Sequence, residues 1–326
     1  VWNCESDHAF LDPRKCHAGL VPVQLLHCAR RKFSKGLRLK NRDPLRLLAL
    51  FLFPLMVSAT SEARHHAASR GQPDIRSSSV LVFDEGSSTV LLARQVDQST
   101  PIASITKLMT ALVVLDAQQP LDEILEVADA DRERGRGAYS RLATGTRLSR
   151  GDLLHLALMS SENRAAHALG RNYPGGLAAC VAAMNAKARA LGMHNARFVD
   201  PTGLSSDDVA SPADLSLLVI AASQVSAIQE YSTDERYAVR VGRRQVEFRN
   251  TNLLVRNPAW DIIVQKTGYI AEAGKCLVMK TMIQGRSIVI VLLDSYGRYT
   301  RVADAQRIRK WLETRPSTGA VSLPQA

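Results

Sequence analysis

The 326-residue sequence predicts an α/β (α+β) fold: an antiparallel sheet flanked by helices, with a helical region inserted between strands from the two chain ends. Three observations carry this expectation. Short β-branched or aliphatic runs lie at residues 80–92 and again from residue 237 onward. The stretch between them has helical periodicity. The last two runs are joined by the tight turn Gln284-Gly285-Arg286, which makes that pair antiparallel.

Each element follows from its residues. Runs 80–83 and 89–92 flank Asp84-Glu85-Gly86-Ser87-Ser88, a hairpin signal. Pro101 opens a helix to Asp116, with Leu108, Leu112 and Leu115 on one face. Residues 120–150 are loop-rich and include a charge cluster at 129–136, which reads as solvated surface. Helices are expected at 151–159, 163–171, 177–191 and 212–224, and strands at 237–241, 244–248, 262–265, 275–283 and 287–293. A helix at 301–313 closes the domain, and a loose Pro/Ser/Gly tail, 316–326, follows.

Composition excludes several classes. With 46% hydrophobic and 22% charged residues, the body is neither disordered, collagen-like nor coiled coil. The apolar run 47–57 is too short to span a bilayer, which needs ~20 residues, so a polytopic membrane protein is excluded. The net charge of +11 divides into +5 over residues 1–63 and +6 over the longer remainder. Aromatics are 5% of the chain and no basic helix or stacking run accompanies the charge, so no nucleic acid is expected as partner. Mild positive charge suits an anionic polymer.

The N-terminus reads as an address. Arg31, Lys32, Lys35, Arg38, Lys40, Arg42 and Arg46 precede the apolar run, and Ser58, Ala59, Thr60 and Ser61 follow it, the three-part pattern of a secretory signal peptide cleaved near Ala59 or Ser61. Residues 1–40 hold Cys4, Cys16 and Cys28, show no sustained period, and fit an extension upstream of a true start. Cys180 and Cys276 remain after cleavage; each sits in an apolar segment, where a buried thiol is commoner than a pair. The expected layout is an N-terminal extension with signal (1–63), a flexible lead-in (64–78), one domain (79–315) and a disordered tail (316–326).

Three short motifs carry chemistry. In Ser104-Ile105-Thr106-Lys107, positions i and i+3 share a helix face, so a lysine amine can meet a serine hydroxyl and serve as its base. Ser161-Glu162-Asn163 lies at a break between helices; Ser161 can relay a proton and Asn163 can bind a carbonyl, although Ser and Asn there also suit a helix N-cap. Lys266-Thr267-Gly268 ends the strand 262–265, where Lys266 and Thr267 can bind an anion and Gly268 leaves room for a substrate backbone. Each motif alone is weak. His155, His167 and His194 lack the spacing of a metal site, and His167 reads as a packed histidine.

Together and in this order the motifs resemble the signature set of penicillin-binding proteins and serine β-lactamases. The strings Pro101-Ile102-Ala103-Ser104-Ile105-Thr106-Lys107-Leu108-Met109-Thr110, Ser160-Ser161-Glu162-Asn163-Arg164-Ala165-Ala166, Phe248-Arg249-Asn250-Thr251-Asn252 and Lys266-Thr267-Gly268-Tyr269-Ile270 are similar to low-molecular-mass D-alanyl-D-alanine peptidases, in particular the penicillin-binding protein 7 branch. The resemblance covers about residues 70–313. It implies a β-lactamase/DD-peptidase-like fold with the site between sheet and helical region. It also implies roles: Ser104 as nucleophile, Lys107 as general base kept neutral by burial and by Lys266, and Ser161 as proton shuttle. Asn163, Lys266, Thr267, Gly268 and Tyr269 would bind substrate, the N–H groups of Ser104 and Tyr269 forming the oxyanion hole. The implied partners are peptidoglycan peptide cross-links, with β-lactam antibiotics as covalent inhibitors; the implied location is the periplasm, and no cofactor is needed.

Rivals within the resemblance are a D-alanyl-D-alanine carboxypeptidase, a serine β-lactamase and a non-catalytic penicillin-binding module. A class A β-lactamase carries a Glu-x-x-Leu-Asn string that is absent here, and a non-catalytic module usually loses a catalytic residue, whereas none is lost. Ser161-Glu162-Asn163-Arg164, and a tail without an apolar face after residue 313, favour cross-link cleavage without a stable membrane anchor.

Overall fold

The computed structural model describes residues 71–132 and 140–314, all within the second of two units of the chain, Ala63–Ala326. The signal-like segment, residues 133–136 of the charge cluster and the tail 316–326 lie outside the described residues. In chain order the elements are β1 (Ser79–Asp84), β2 (Thr89–Arg94), β3 (Thr100–Pro101), a 3-10 turn (Ala103–Ile105), α1 (Thr106–Asp116), β4 (Ile124–Glu126), β5 (Arg147–Ser149), α2 (Arg150–Met159), α3 (Asn163–Arg171) and α4 (Gly176–Ala190). There follow β6 (Val209–Ala210), α5 (Pro212–Ala222), α6 (Ser226–Thr233), β7 (Arg236–Val241), β8 (Arg244–Arg249), β9 (Asp261–Ile270), β10 (Gly274–Ile283), β11 (Arg286–Ser295) and α7 (Thr300–Glu313).

Strands from both chain ends form one antiparallel sheet in the order β2-β1-β11-β10-β9. Side chains alternate across a strand, so one strand feeds two cores. Val80 and Val82 of β1, with Ile288, Ile290 and Leu292 of β11, face Ile308, Trp311 and Leu312 of α7. Leu81, Val289, Val291 and Leu293 face the helical region, where Leu215, Leu218 and Val219 of α5 pack. With both faces covered, β11 reads as a continuous apolar run from Ile288 to Leu293, and β10 as apolar residues interrupted by Lys280 and Thr281. Gln284 and Gly285 between them have φ of +51° and +72°, the double left-handed pair of a type I′ hairpin turn.

Local chemistry sets the helix starts. Ser149 accepts from the Asp152 amide and Asp152 from the Ser149 amide, a capping box that opens α2; Ser211 and Asp214 do the same for α5, with Pro212 in its first turn. The helix expected from Pro101 begins later. Pro101 lies in β3, paired with Val209 of β6, and the 3-10 turn bridges to α1. Every residue of α1 from Thr106 to Val114 is buried, so this helix runs through the core rather than presenting one apolar face.

Four further differences from the sequence reading have physical causes. Among the described residues the strands β7 and β8 pair only with each other. Their alternating exposure buries Val239 and Phe248 alone below one-tenth, and the pair docks on α2 through His155, whose ring stacks between Tyr231 and Tyr237. Helix α6, too short for a clear period, was not expected. Residues 75–78, read as part of a flexible lead-in, are pinned: Ile75 is buried, and the Arg76 and Ser77 amides donate to the Asp304 carboxylate of α7. The strand expected at 262–265 runs on to Ile270, carrying Lys266-Thr267-Gly268 in its interior. Cys180 and Cys276 are free and buried, and burial pushes their thiols up to about 12 and about 11.

One buried ion cluster braces α3. Asp131 accepts from His167 Nδ1 at 2.8 Å, from Arg171 Nε and Nη2 at 2.9 Å each, and from the Ala128 amide at 2.7 Å. Burial raises the Asp131 carboxyl, but these hydrogen bonds outweigh it and hold the group below its ordinary value. Asp131→Ala is expected to cost about 3 kcal/mol in chemical denaturation at neutral pH, because it strands two partners around a buried site. A depressed carboxylate stabilises above its unfolded pKa and ceases to as pH falls through the folded one, so the cost should shrink below about pH 4. An equal cost at both pH values would show that packing, not charge, is lost.

Candidate active site

The 3-10 turn and α1 bring Ser104 and Lys107 together. Lys107 Nζ lies 2.9 Å from Ser104 Oγ, 2.8 Å from Asn163 Oδ1 and 2.5 Å from the Thr202 carbonyl oxygen. Lysine Nζ is nearly enclosed at 1% residue exposure. Its amine thus stands within hydrogen-bond reach of the Ser104 hydroxyl, the Asn163 amide oxygen and the Thr202 carbonyl at once.

Ser161 sits at the break between α2 and α3, with φ +60°, a left-handed conformation that a serine adopts only under constraint. Its Oγ accepts from Lys266 Nζ at 2.8 Å. The N-cap of α3 is Glu162, whose side chain accepts from the Arg164 amide at 3.2 Å, so neither Ser161 nor Asn163 serves as the cap. Asn163 opens α3 and turns its side chain to Lys107.

On β9, Lys266 is fully buried and also donates to the Thr267 carbonyl at 2.9 Å. Burial first, then the positive charges of Lys107 and Arg301, hold the Lys266 ammonium well below the usual lysine range. Thr267 Oγ1 lies 2.6 Å from Thr251 Oγ1. Gly268 has a structural reason beside the one expected. A Cβ there would stand 2.9 Å from the Ile102 carbonyl oxygen and 3.1 Å from Ala103 Cβ, so its bareness also admits the chain's own turn at Ser104. Tyr269, 58% exposed, stands at the rim with Lys275 Nζ 4.0 Å from its ring centre.

These motifs line one open cleft of about 230 Å³, which Ser104, Ser161, Asn163, Thr267, Gly268 and Tyr269 share with Leu204, Thr251 and Arg301. Lys107 and Lys266 lie just behind its wall through Ser104 and Ser161. Arg301 and the Thr202 carbonyl were not singled out from sequence, and Thr251 only as part of the string Phe248-Arg249-Asn250-Thr251-Asn252. Arg301 lies in the first turn of α7 and donates to the Gly268 and Cys276 carbonyls at 3.0 and 3.3 Å. A cation at a helix N-terminus opposes the helix dipole, the one signal that could have marked it. For Thr202, the Asp200-Pro201-Thr202-Gly203 string announces a turn but not its destination.

A buried serine–lysine pair at a helix start, a second serine–lysine pair facing it and an edge strand along the cleft define a serine peptidase of the penicillin-recognising class. The chain belongs to the D-alanyl-D-alanine carboxypeptidase family, peptidase family S11, whose profile matches residues 66–297. It is 47% identical over 285 residues to a D-alanyl-D-alanine endopeptidase of Pseudomonas aeruginosa, covering 86% of this chain and 92% of that one. It is 45% identical over 270 residues to a D-alanyl-D-alanine endopeptidase of Escherichia coli, covering 82% and 86%. Among solved structures, the Streptomyces K15 DD-transpeptidase superposes with a TM-score of 0.69 at 26% identity, covering 74% of this chain and 98% of that one.

Proposed function

We propose that this chain is a serine DD-endopeptidase that hydrolyses D-alanyl cross-links in peptidoglycan through a Ser104 acyl-enzyme, and that β-lactams inhibit it by acylating the same serine. The observation that carries the reading is the contact of the buried Lys107 Nζ with Ser104 Oγ at the wall of the cleft. Lys107 removes the Ser104 proton as Oγ bonds to the D-alanyl carbonyl carbon. The N–H groups of Ser104 and Tyr269 receive the developing oxyanion. As the C–N bond breaks, Ser161 relays to the leaving amine the proton that Lys107 took from Ser104, giving up its own and receiving that one in turn, steadied by Lys266, whose affinity for its proton is lowered. Water then attacks the ester and frees Ser104. The Asn163 amide nitrogen and Thr267 hold the peptide, and Arg301 places positive charge where the substrate carries its carboxylate.

The residue roles rest on the geometry and on the family's motif order. Cross-link cleavage rests on the two endopeptidase relatives and on the Ser161-Glu162-Asn163-Arg164 string. The signal-like segment 31–61 supports export to the periplasm, with one peptidase domain over 79–315. Among the described residues no helix is long and apolar enough to cross a membrane.

The test offers purified enzyme cross-linked dimeric muropeptides and monomeric pentapeptides, followed by chromatography, with benzylpenicillin labelling in parallel. Dimers should be split faster than terminal D-alanine is released, and one penicillin mass should appear on the peptide containing Ser104. Rapid release of D-alanine with dimers intact would make the enzyme a carboxypeptidase. Prompt release of hydrolysed drug would make it a β-lactamase.

A further inference from the structure

Behind the Ser104–Lys107 pair lies a second pair of groups, two carboxyls with no role in the chemistry above. The Asp200 carboxylate gathers its own turn: Oδ1 accepts from Thr202 N at 2.5 Å, Thr202 Oγ1 at 2.6 Å and Gly203 N at 2.8 Å, and Oδ2 from Ser205 N at 3.0 Å. That turn delivers the Thr202 carbonyl to Lys107 and Leu204 to the cleft. Asp208 is fully buried. Its Oδ1 accepts from Val199 N at 2.7 Å and Asp200 N at 3.3 Å, and its backbone carbonyl accepts from Ile102 N at 3.0 Å, two residues before Ser104. Its other carboxyl oxygen, Oδ2, is buried without a donor. A carboxylate oxygen left so is costly, and a proton placed between Asp208 and Asp200 removes the cost.

We propose that Asp200 and Asp208 share one proton and act as positioning residues for acylation, the carboxyl–carboxylate pair fixing both the turn that presents Thr202 to Lys107 and the strand that leads into Ser104. This rests on the reading of Ser104 and Lys107 as nucleophile and base. The proton belongs mainly to Asp208: burial first, then the charge of Asp200, pushes its carboxyl up to about 8, while the hydrogen bonds from Asp208, Thr202 and Ser205 overcome burial and hold Asp200 low. Among charged groups nearby, Arg197 pairs with Asp207 at the surface, 3.3 Å apart, Asp214 is engaged by Ser211, and Lys107 meets the turn at Thr202 O. Loss of the proton sets two carboxylates against each other under the catalytic lysine.

The experiment follows the second-order rate of acylation by benzylpenicillin from pH 6 to pH 10. The parent should show an alkaline fall centred near pH 8. Asp208→Asn keeps an N–H donor toward Asp200 and an oxygen for the two amides but cannot ionise, so its alkaline fall should move up by at least about one pH unit. Asp208→Ala should be slower by about tenfold at pH 7, with Asp208→Asn near the parent rate. An alkaline limb of Asp208→Asn that coincides with the parent's overturns the proposal. On the parent protein, infrared difference spectra between pH 6 and pH 10 should show loss of one buried carboxylic-acid carbonyl band that Asp208→Asn lacks; no such band overturns it too. A parent that benzylpenicillin never acylates overturns the enzyme reading, and the infrared result still decides the shared proton.

Discussion

Lys107→Arg is expected to keep the fold and to lower the acylation rate of Ser104 by about 10³-fold, within the range that a positioned general base contributes. Arginine retains the charge and can donate toward Asn163 Oδ1 and the Thr202 carbonyl, but it gives up no proton near neutral pH. The pocket around Lys107 is closed, so the larger head also costs about 1–3 kcal/mol of overpacking. Thermal unfolding separates the two effects: a modest fall in Tm with acylation nearly abolished assigns the loss to the missing base. Lys107→Met supplies the complement, removing charge and base together and leaving Asn163 Oδ1 and Thr202 O without this donor. If Lys107→Arg is acylated at close to the parent rate, the base lies elsewhere, and Lys266, held well below the usual lysine range, is the next group to test.

What the sequence disclosed of this site follows interaction range. Ser104 and Lys107 are three residues apart, and helix geometry alone puts i and i+3 on one face. The order of the three motifs then placed Ser161 and Lys266 in one cleft, where their 2.8 Å hydrogen bond is found. The backbone between those landmarks was not legible. Ala103 and Ser161 have φ of +50° and +60°, and nothing about Ala or Ser announces a left-handed conformation. The packing of Thr202 against Lys107 joins residues 95 apart in sequence through a carbonyl that every residue type carries. Arg301 reaches the cleft because α7 packs on β10 and β11 and its first turn brings the guanidinium to the Gly268 and Cys276 carbonyls. The sheet shows the same division. Apolar runs at both chain ends announced its strands, but the alternation of β7 and β8 fits a shared sheet as well as the separate hairpin that they form.

Gly203→Ala should be the most damaging single methyl in the described structure. Gly203 has φ +77°, and a Cβ there would be driven into the backbone carbonyl of Ala103 and to within 2.8 Å of Thr106 Oγ1. Backbone cannot step aside as a flexible side chain can. The left-handed conformation alone costs an alanine about 1 kcal/mol, and the collision brings the expected loss to about 4 kcal/mol or more. Gly285→Ala is the control: φ is +72° and no atom lies within 4 Å of the added Cβ, so only the conformational part applies. The difference between the two variants in guanidinium unfolding therefore measures how closely the 200–205 turn is pressed against the Ala103–Ile105 turn. Activity should report the same contact. Ala103 adjoins Ser104, and its carbonyl also accepts from Thr106 Oγ1 at 2.9 Å, so pushing it away shifts Oγ of Ser104 relative to Lys107 Nζ. A displacement of about 1 Å costs about 10²-fold in rate when reacting groups must be aligned. Gly203→Ala that stays folded at low temperature should thus be acylated about 10²-fold more slowly, with Gly285→Ala at the parent rate. Equal stability and equal acylation in both variants would mean that the two turns do not touch in solution, and the support of Lys107 by Thr202 would fall with that contact.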